Sequence, residues 1–232
     1  MSHPSCRRPS LFFSACVVAA ATLLGQTSPA TATETELTAI IDDHWQWTLT
    51  QYPERRLEYG DRSGNDQWTD MSLEAFQKRY EDEGRFVQRL EQIEPATISA
   101  DAQINRAMLL RQLRDNLTEY EDGLHLIALD MRSGPQHRHS MIDTLPMVSA
   151  QDHEDWLNRL RGLPEQLSQY RALLSEGINR DRTQAQIVMS RVPSQIANLI
   201  TEQPNDSPFY RAFATMPEEI DSETCLLYTS PS

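Results

Sequence analysis

Cysteine is almost missing from this chain. Its three cysteines are Cys6, Cys16 and Cys225, and they lie close to the two ends of the sequence. Residues 17–224 therefore offer no disulfide framework, no thiol nucleophile and no cysteine-ligated zinc site. A domain of this length can bury enough apolar surface to fold without disulfides.

Positive charge is also scarce. Lysine and arginine together number 21 against 34 aspartates and glutamates, the formal net charge is −13, and Lys78 is the single lysine. Because such a surface repels phosphate backbones, we predict no nucleic-acid partner. The sequence also lacks a glycine-rich phosphate loop, a G-x-S-x-G elbow and a dinucleotide fingerprint. The function classes that depend on those motifs are therefore excluded.

The first 32 residues have the pattern of a signal peptide. Arg7 and Arg8 precede an apolar run at residues 11–24, and the small residues Ala30–Ala32 follow it. As a helix the run would span roughly 21 Å, short of the ~30 Å hydrocarbon core of a membrane. We expect cleavage after Ala32, a periplasmic or secreted mature chain, and no membrane contact thereafter. Three alternatives stay open: a membrane anchor, a twin-arginine signal, and a lipid on Cys16.

The last eight residues do not continue the preceding pattern. Residues 225–232 resemble one reading frame of a transposase sequencing adapter, so we expect them to be non-native. A natural tail is the alternative. The native sequence would then break off near Thr224, and residues 33–224 would be the N-terminal part of a larger domain.

Helical periodicity dominates the rest of the chain. Apolar residues recur at spacings of three and four, and no stretch alternates apolar and polar residues as a strand does. The sequence predicts an all-α fold, an irregular array of several helices. The predicted helices are 35–51, 72–94, 99–131, a short one from Ser149, 164–177, and 183–201 with a kink at Pro193. Residues 55–69 and 133–148 are predicted loops, and residues 203–220 an irregular segment packed by aromatics.

The third predicted helix has the clearest apolar stripe, which runs from Leu110 to Met131. Such a stripe is found in coiled coils and also in ordinary buried helices. Flanking Leu109, Leu126 and Leu129 widen it beyond a narrow seam, which favours a buried bundle helix.

His153 and Glu154 begin like a zinc-binding HExxH helix. That motif needs a second histidine four residues after the first, and Leu157 occupies this position. We therefore predict no zinc site here and expect His153 and Glu154 to be solvated residues of a first helical turn.

His137 and His139 are the other candidate metal ligands. They lie two residues apart in a predicted loop, and Asp130 or Asp143 could join them, but Arg138 between them opposes a cation. Surface histidines of a loop are the alternative interpretation. His44 and His125 are predicted to lie on helices, at the surface or partly packed.

Three tryptophans, Trp45, Trp47 and Trp68, could line an aromatic substrate groove or belong to the core. No pair of carboxylates stands out for acid–base chemistry. The residues taken alone do not identify a function.

Several segments, in their order, resemble one bacterial family. Asp43–Trp47, Tyr52–Glu54, Tyr59–Asp61 and Gln67–Ala75 look like the opening of the family of domain of unknown function 885 (DUF885). Residues 160–199 are similar to a later proline-opened helix, glycine and second helix of that family. The resemblance covers most of residues 36–220.

The resemblance implies an exported, largely helical zinc metallopeptidase of the gluzincin kind. Two histidines of an HExxH helix and a later glutamate would hold zinc, and the glutamate of the motif would activate water. No position of this sequence matches those residues, so we predict no catalytic, cofactor-binding or metal-binding residue in the chain. Zinc and a peptide substrate are expected in the full-length parent. In this interpretation the present chain ends before the catalytic half of that parent begins. The alternative is a helical periplasmic binding or adaptor module without catalysis, and an HExxH after position 224 would decide.

Overall fold

A computed structural model describes residues 32–214, and every regular element within that range is helical. The all-α class predicted from the periodicity is thereby confirmed. The α-helices are α1 (Ala32–Gln51), α2 (Leu73–Glu91), α3 (Ala100–Glu121), α4 (Ala150–Asn179), α5 (Gln186–Met189) and α6 (Val192–Ala197). Short 3-10 helices are Pro53–Tyr59, Pro95–Thr97, Leu124–Leu126, Pro135–Asp143, Pro204–Asp206 and Pro208–Phe213. The predicted cleavage signal and residues 225–232 lie outside the described range, Ala32 excepted.

Three serines begin helices as their positions in the sequence predict. The side chain of Ser72 accepts a hydrogen bond from the Ala75 amide, 3.1 Å away, at the start of α2. Ser149 and Asp152 form a reciprocal capping box, in which the amide of each donates to the side chain of the other. Ser99 caps α3 in the same way as Ser72. These bonds satisfy amides that have no partner inside the helix.

The helices α1, α2 and α3 enclose a first apolar core. Leu90 of α2 and Leu113 of α3 have no exposed surface at all. Burial of a leucine contributes roughly 1.5–3 kcal/mol. The other buried members of this core are Leu37, Ile40, Phe86, Val87, Ile93, Ile98 and Leu110. The stripe of α3 therefore packs within the domain, as a bundle helix does, while Ile104 and Met108 lie exposed on another side of α3.

A second apolar core lies along α4. Trp156 is fully buried, and its indole N–H donates to the carbonyl of Phe209, 3.0 Å away. Leu145, Ala212 and Phe213 complete the buried set. The aromatic segment after residue 203 therefore packs into this core, as predicted, over the part that the structure describes.

The predicted helix 99–131 is wrong beyond Glu121. Gly123 has φ of +76°, a left-handed conformation that suits glycine and ends the helix. The Gly123 amide donates to the Tyr120 carbonyl, 2.9 Å away, and so closes the last turn. Apolar periodicity alone continued across this glycine. As a consequence His125 lies in the 3-10 turn Leu124–Leu126 and not on a helix.

The predicted break near Leu163-Pro164 is also wrong, because α4 runs continuously for 30 residues with Pro164 inside it. Proline lacks the amide of one helical hydrogen bond. Buried residues nevertheless keep helical spacing on both sides, from Trp156 and Arg159 to Tyr170 and Leu173. Packing of this shared face outweighs the missing bond.

Gly177 was expected to close that helix, yet it lies inside α4, two residues before the end. A Cβ at this position would come 2.6 Å from the Arg182 carbonyl oxygen and 3.0 Å from that of Leu126. Glycine is therefore required here by the close approach of two other segments and not by a helix end.

The predicted helix 183–201 is divided into α5 and α6. Pro193 is the second residue of α6 and does not kink a longer helix. Proline is well accommodated in the first turn of a helix, where its missing amide costs no hydrogen bond, so a new helix start is favoured there. The predicted loops 55–69 and 133–148 are partly wrong as well, because the 3-10 helix Pro53–Tyr59 overlaps the first and Pro135–Asp143 lies within the second. None of the helices formed by residues 32–214 is long and apolar enough to cross a membrane.

Candidate functional site

A cleft opens between α2, α3 and the 3-10 turn that follows α3. Its volume is about 280 Å³. Residues of α2 at helical spacing form one wall, residues of the last two turns of α3 form the opposite wall, and the turn closes one end. The lining residues are Tyr52, Phe76, Arg79, Tyr80, Glu83, Asn116, Glu119, Tyr120, Leu124 and His125. We call this site the Arg79–Glu83 cleft.

Arg79 is a buried cation at the cleft, only 3% exposed. Its two terminal nitrogens both donate to the Asp70 carbonyl at 3.0 Å, while its Nε has no partner among residues 32–214. The guanidinium lies 4.4 Å from the centre of the Phe76 ring and 5.4 Å from that of Tyr52. Burial lowers the pKa of Arg79. Aromatic faces and a carbonyl thus replace the water that this cation loses.

Glu83 lies one turn further along α2 and is 7% exposed. One carboxylate oxygen accepts a hydrogen bond from the side-chain amide of Asn116, 2.8 Å away. Burial raises the pKa of Glu83, and the Asn116 bond and the Arg79 charge oppose that rise. Arg79 and Glu83 make no direct ion pair with each other, but the charge of Glu83 raises the pKa of Arg79 and the charge of Arg79 lowers that of Glu83.

Aromatic rings form the rim of the cleft. Tyr80 and Tyr120 stack with ring centres 4.6 Å apart, and His125 stacks on Tyr120 at 4.4 Å with an angle of 12°. Burial lowers the pKa of His125, and Arg180 and Arg79 lower it further. Burial raises the pKa of the Tyr52 hydroxyl.

Five groups with shifted pKa values, those of Tyr52, Arg79, Tyr80, Glu83 and His125, therefore meet in one concavity. Such clustering is typical of binding and catalytic sites, where burial is tolerated for the sake of function. No sequence motif points to this cleft. The available signal was the appearance of Arg79 and Glu83 within the apolar stripe of α2, where a purely structural helix would carry apolar residues.

His153 is fully buried, so the prediction of a solvated first-turn histidine is wrong. Its Nδ1 donates to the Ser149 carbonyl, 2.9 Å away, and its Nε2 has no partner in the described part of the chain. The ring lies 6.0 Å from Phe213, whose packing against α4 covers it. Glu154 is half-buried and pairs with Arg161 at 3.1 Å, so it also differs from a freely solvated residue.

The candidate ligands around His137 and His139 are occupied by other contacts. The two rings contact the carbonyls of Met131 and Gln136, at 3.2 and 3.1 Å. Asp130 accepts from the amides of Arg132 and Ser133, which together with other interactions lowers its pKa. Asp143 pairs with Arg211 at 3.0 Å. Within residues 32–214 no three metal-ligating side chains come together.

The three candidate tryptophans do not share a groove. Trp47 packs against the first core and donates to Asp82 at 3.1 Å, and Trp45 meets the edge of Tyr59. Trp68 packs against the second core and donates to the Arg159 carbonyl at 2.6 Å. The interpretation of Trp47 and Trp68 as core residues is therefore the one the structure supports. His44 is half-buried against Trp47 and Phe86.

The described residues form an all-helical fold in which two buried charged side chains, Arg79 and Glu83, line a solvent-open cleft. The chain matches the family described as "Bacterial protein of unknown function (DUF885)" over residues 53–226, well over half of its length. It belongs to that family, as the resemblance of its opening segments indicated. The match includes Arg79, Glu83, Asn116 and His125. No curated protein matches the chain.

Proposed function

We propose that this chain is the N-terminal helical part of an exported zinc metallopeptidase. In this proposal it supplies scaffold and one wall of the substrate cleft. Membership of the DUF885 family and the segments quoted above support the proposal. The observation that carries the role of cleft wall is the placement of Arg79 and Glu83, both buried, in one solvent-open concavity.

The donor groups of residues 32–214 do not fit a zinc site, because no three metal-ligating side chains come together there. We therefore derive no catalytic step for them. In the proposal the zinc ligands belong to an HExxH helix and a later glutamate outside this range, and the work of the present residues is to bind and orient a peptide. Zinc in such a site would polarise the peptide carbonyl and activate a water molecule.

The predicted signal peptide, with cleavage after Ala32, supports export to the periplasm or beyond. The acidic balance supports a partner other than nucleic acid. We propose peptides as the substrate class, handled by a mature protein that makes no membrane contact.

The locus itself provides the first test. Sequencing through the reading frame should reveal HExxH in frame after position 224, followed by a glutamate ligand. The purified product of the whole frame should hydrolyse a peptide library, and a zinc chelator should abolish that activity. Residues 33–224 alone, supplied with zinc, should hydrolyse nothing.

Two outcomes contradict the proposal. A reading frame without HExxH would favour the helical binding module, which would retain peptides without cleaving them. Chelator-sensitive hydrolysis by residues 33–224 would place a site within this chain, and His137, His139 and His153 would be the first residues to replace.

A further inference from the structure

We propose that the Arg79–Glu83 cleft binds an organic cation with N–H donors, a guanidinium or ammonium group on an alkyl chain, with Glu83 as its counter-charge. The inference rests on the proposed function only in taking that group to be an arginine or lysine side chain of a peptide substrate. Binding of the cation itself does not depend on catalysis.

The cleft offers free acceptor oxygens, although its groups without a hydrogen-bond partner within residues 32–214 also include the buried Nε donor of Arg79 and Nδ1 of His125. One oxygen of Glu83 accepts from Asn116, and the other accepts no hydrogen bond from residues 32–214. The side-chain carbonyl of Asn116 likewise has none there. Glu119 lines the same cleft, is exposed, and makes no ion pair with a described residue. A ligand that satisfies these three groups must donate hydrogen bonds.

The charge balance of the cleft opposes an anion. Arg79 is the lining cation, yet it is only 3% exposed and both terminal nitrogens already donate to the Asp70 carbonyl. Two carboxylates, Glu83 and Glu119, face the same space. An incoming carboxylate or phosphate would meet their repulsion without reaching the guanidinium.

The walls suit a planar or compact cation. Tyr80, Tyr120 and His125 form a stacked series of rings at the rim. Aromatic faces attract guanidinium and ammonium groups. The cleft already shows this preference, because Phe76 and Tyr52 hold the guanidinium of Arg79. Its volume of about 280 Å³ lies at the small end of ligand sites and suits one long side chain.

The test uses the full chain and n-butylguanidinium as the probe. Isothermal titration calorimetry should show saturable binding at one site, and n-butylammonium should bind the same site. Amide signals of residues 80, 83, 116 and 120 should shift in ¹H–¹⁵N spectra. Butyrate of the same chain length should not bind.

Two variants and one control locate the counter-charge. Glu83→Gln keeps the acceptor for Asn116 and removes the charge, and it should weaken binding at least about tenfold. Glu119→Gln, at an exposed position, should weaken it about threefold without affecting folding. Glu165→Gln makes the same chemical change on the exposed surface of α4 and should leave binding unchanged. Circular dichroism checks that each variant is folded.

The inference is overturned if neither cation saturates, if butyrate binds more tightly, or if Glu83→Gln and Glu119→Gln bind as the parent chain does. Failure of the proposed function looks different. If the whole reading frame hydrolyses no peptide while n-butylguanidinium still binds and still depends on Glu83, the metallopeptidase proposal fails and the cation site remains.

Discussion

Each of the two cores of this molecule has a buried arginine in it or beside it, and the two arginines differ in their access to solvent. Arg79 lies beside the first core at a cleft that is open to solvent. Arg159 lies in the second core and has no exposed surface. Both guanidiniums rest on aromatic rings, Arg159 on Trp68 at 5.1 Å. Their surroundings, and not their residue type, decide which one is available to a ligand.

The contacts of Arg159 hold two segments of the fold together. It donates to the Gly64 carbonyl at 2.8 Å and to the sulfur of Met141, so it joins the segment before α2 to the segment before α4. Burial lowers its pKa to about 10, well above neutral pH, so the side chain stays charged. A cation held without an ion-pair partner in residues 32–214 depends on every one of these contacts.

The largest expected effect follows from this difference. Arg159→Ala should lower the free energy of unfolding by about 3 kcal/mol, because it leaves a cavity and the Gly64 carbonyl without its donor. Urea unfolding followed by circular dichroism measures the change. Arg161→Ala, an exposed arginine two residues later, should cost less than about 1 kcal/mol. Equal losses of unfolding free energy for the two variants would contradict a structural role of Arg159.

Two helical glycines, Gly177 of α4 and Gly84 of α2, differ in the space around them. Gly177→Ala in α4 should cost about 2 kcal/mol, because the new methyl group meets the Arg182 carbonyl at 2.6 Å. Gly84→Ala in α2 meets nothing within 4 Å and should stabilise the protein by up to about 1 kcal/mol. Melting temperatures of the two variants give the comparison. A stabilising Gly177→Ala would contradict the close approach of residues 126 and 182 to α4.

Glu83→Gln should not destabilise the protein at neutral pH. The folded pKa of Glu83 is raised, so its favourable contribution is present below the unfolded value of 4.5 and is lost as the pH rises through the folded pKa. A neutral glutamine removes this loss and keeps the bond to Asn116. The melting temperature of the variant, relative to the parent, should therefore be higher at pH 7.5 than at pH 4.5. The opposite trend would mean that the Glu83 carboxylate is favourably solvated in the fold.

Two histidines, His44 and His125, should give the smallest effect, a loss of stability in mild acid. Burial lowers the folded pKa of His125 and of His44, and nearby arginines lower them further. Their contribution is complete above the unfolded value of 6.5 and is lost as the pH falls through the lowered folded pKa. His125→Phe preserves the stack on Tyr120 and should reduce the slope of stability between pH 7 and pH 5. An unchanged slope would exclude His125 as a contributor.

Sequence patterns predicted helix starts and ends best where only one local signal was present. Ser72, Ser99 and Ser149 cap helices because a serine hydroxyl satisfies free amides whatever the tertiary structure is. Two local signals disagreed at Gly123 and at Pro164: apolar periodicity gave the wrong prediction at Gly123, and the proline gave the wrong prediction at Pro164. Gly123 ended its helix despite a continuing apolar stripe, and Pro164 did not end its helix because both flanking turns bury the same face.

The candidate cleft could not have been predicted from the sequence, since its residues come from positions 52, 76–83 and 116–125. Their side chains meet only because α2 and α3 pack together and the chain turns at Gly123. Likewise the spacing of His153 suggested a solvated turn, while its burial depends on Phe213, sixty residues later. Export, zinc and a peptide substrate remain predictions.

The sequence by itself determined the helical class, the capped starts of three helices and the family, because periodicity, capping and ordered motifs are properties of neighbouring residues. The tertiary structure alone decided which charged residues are buried. Burial is a property of segments brought together from distant positions, and it separates the structural Arg159 from the cleft pair Arg79 and Glu83. Desolvation then shifts the pKa values of that pair, and a candidate site exists where the sequence shows only two charges on a helix.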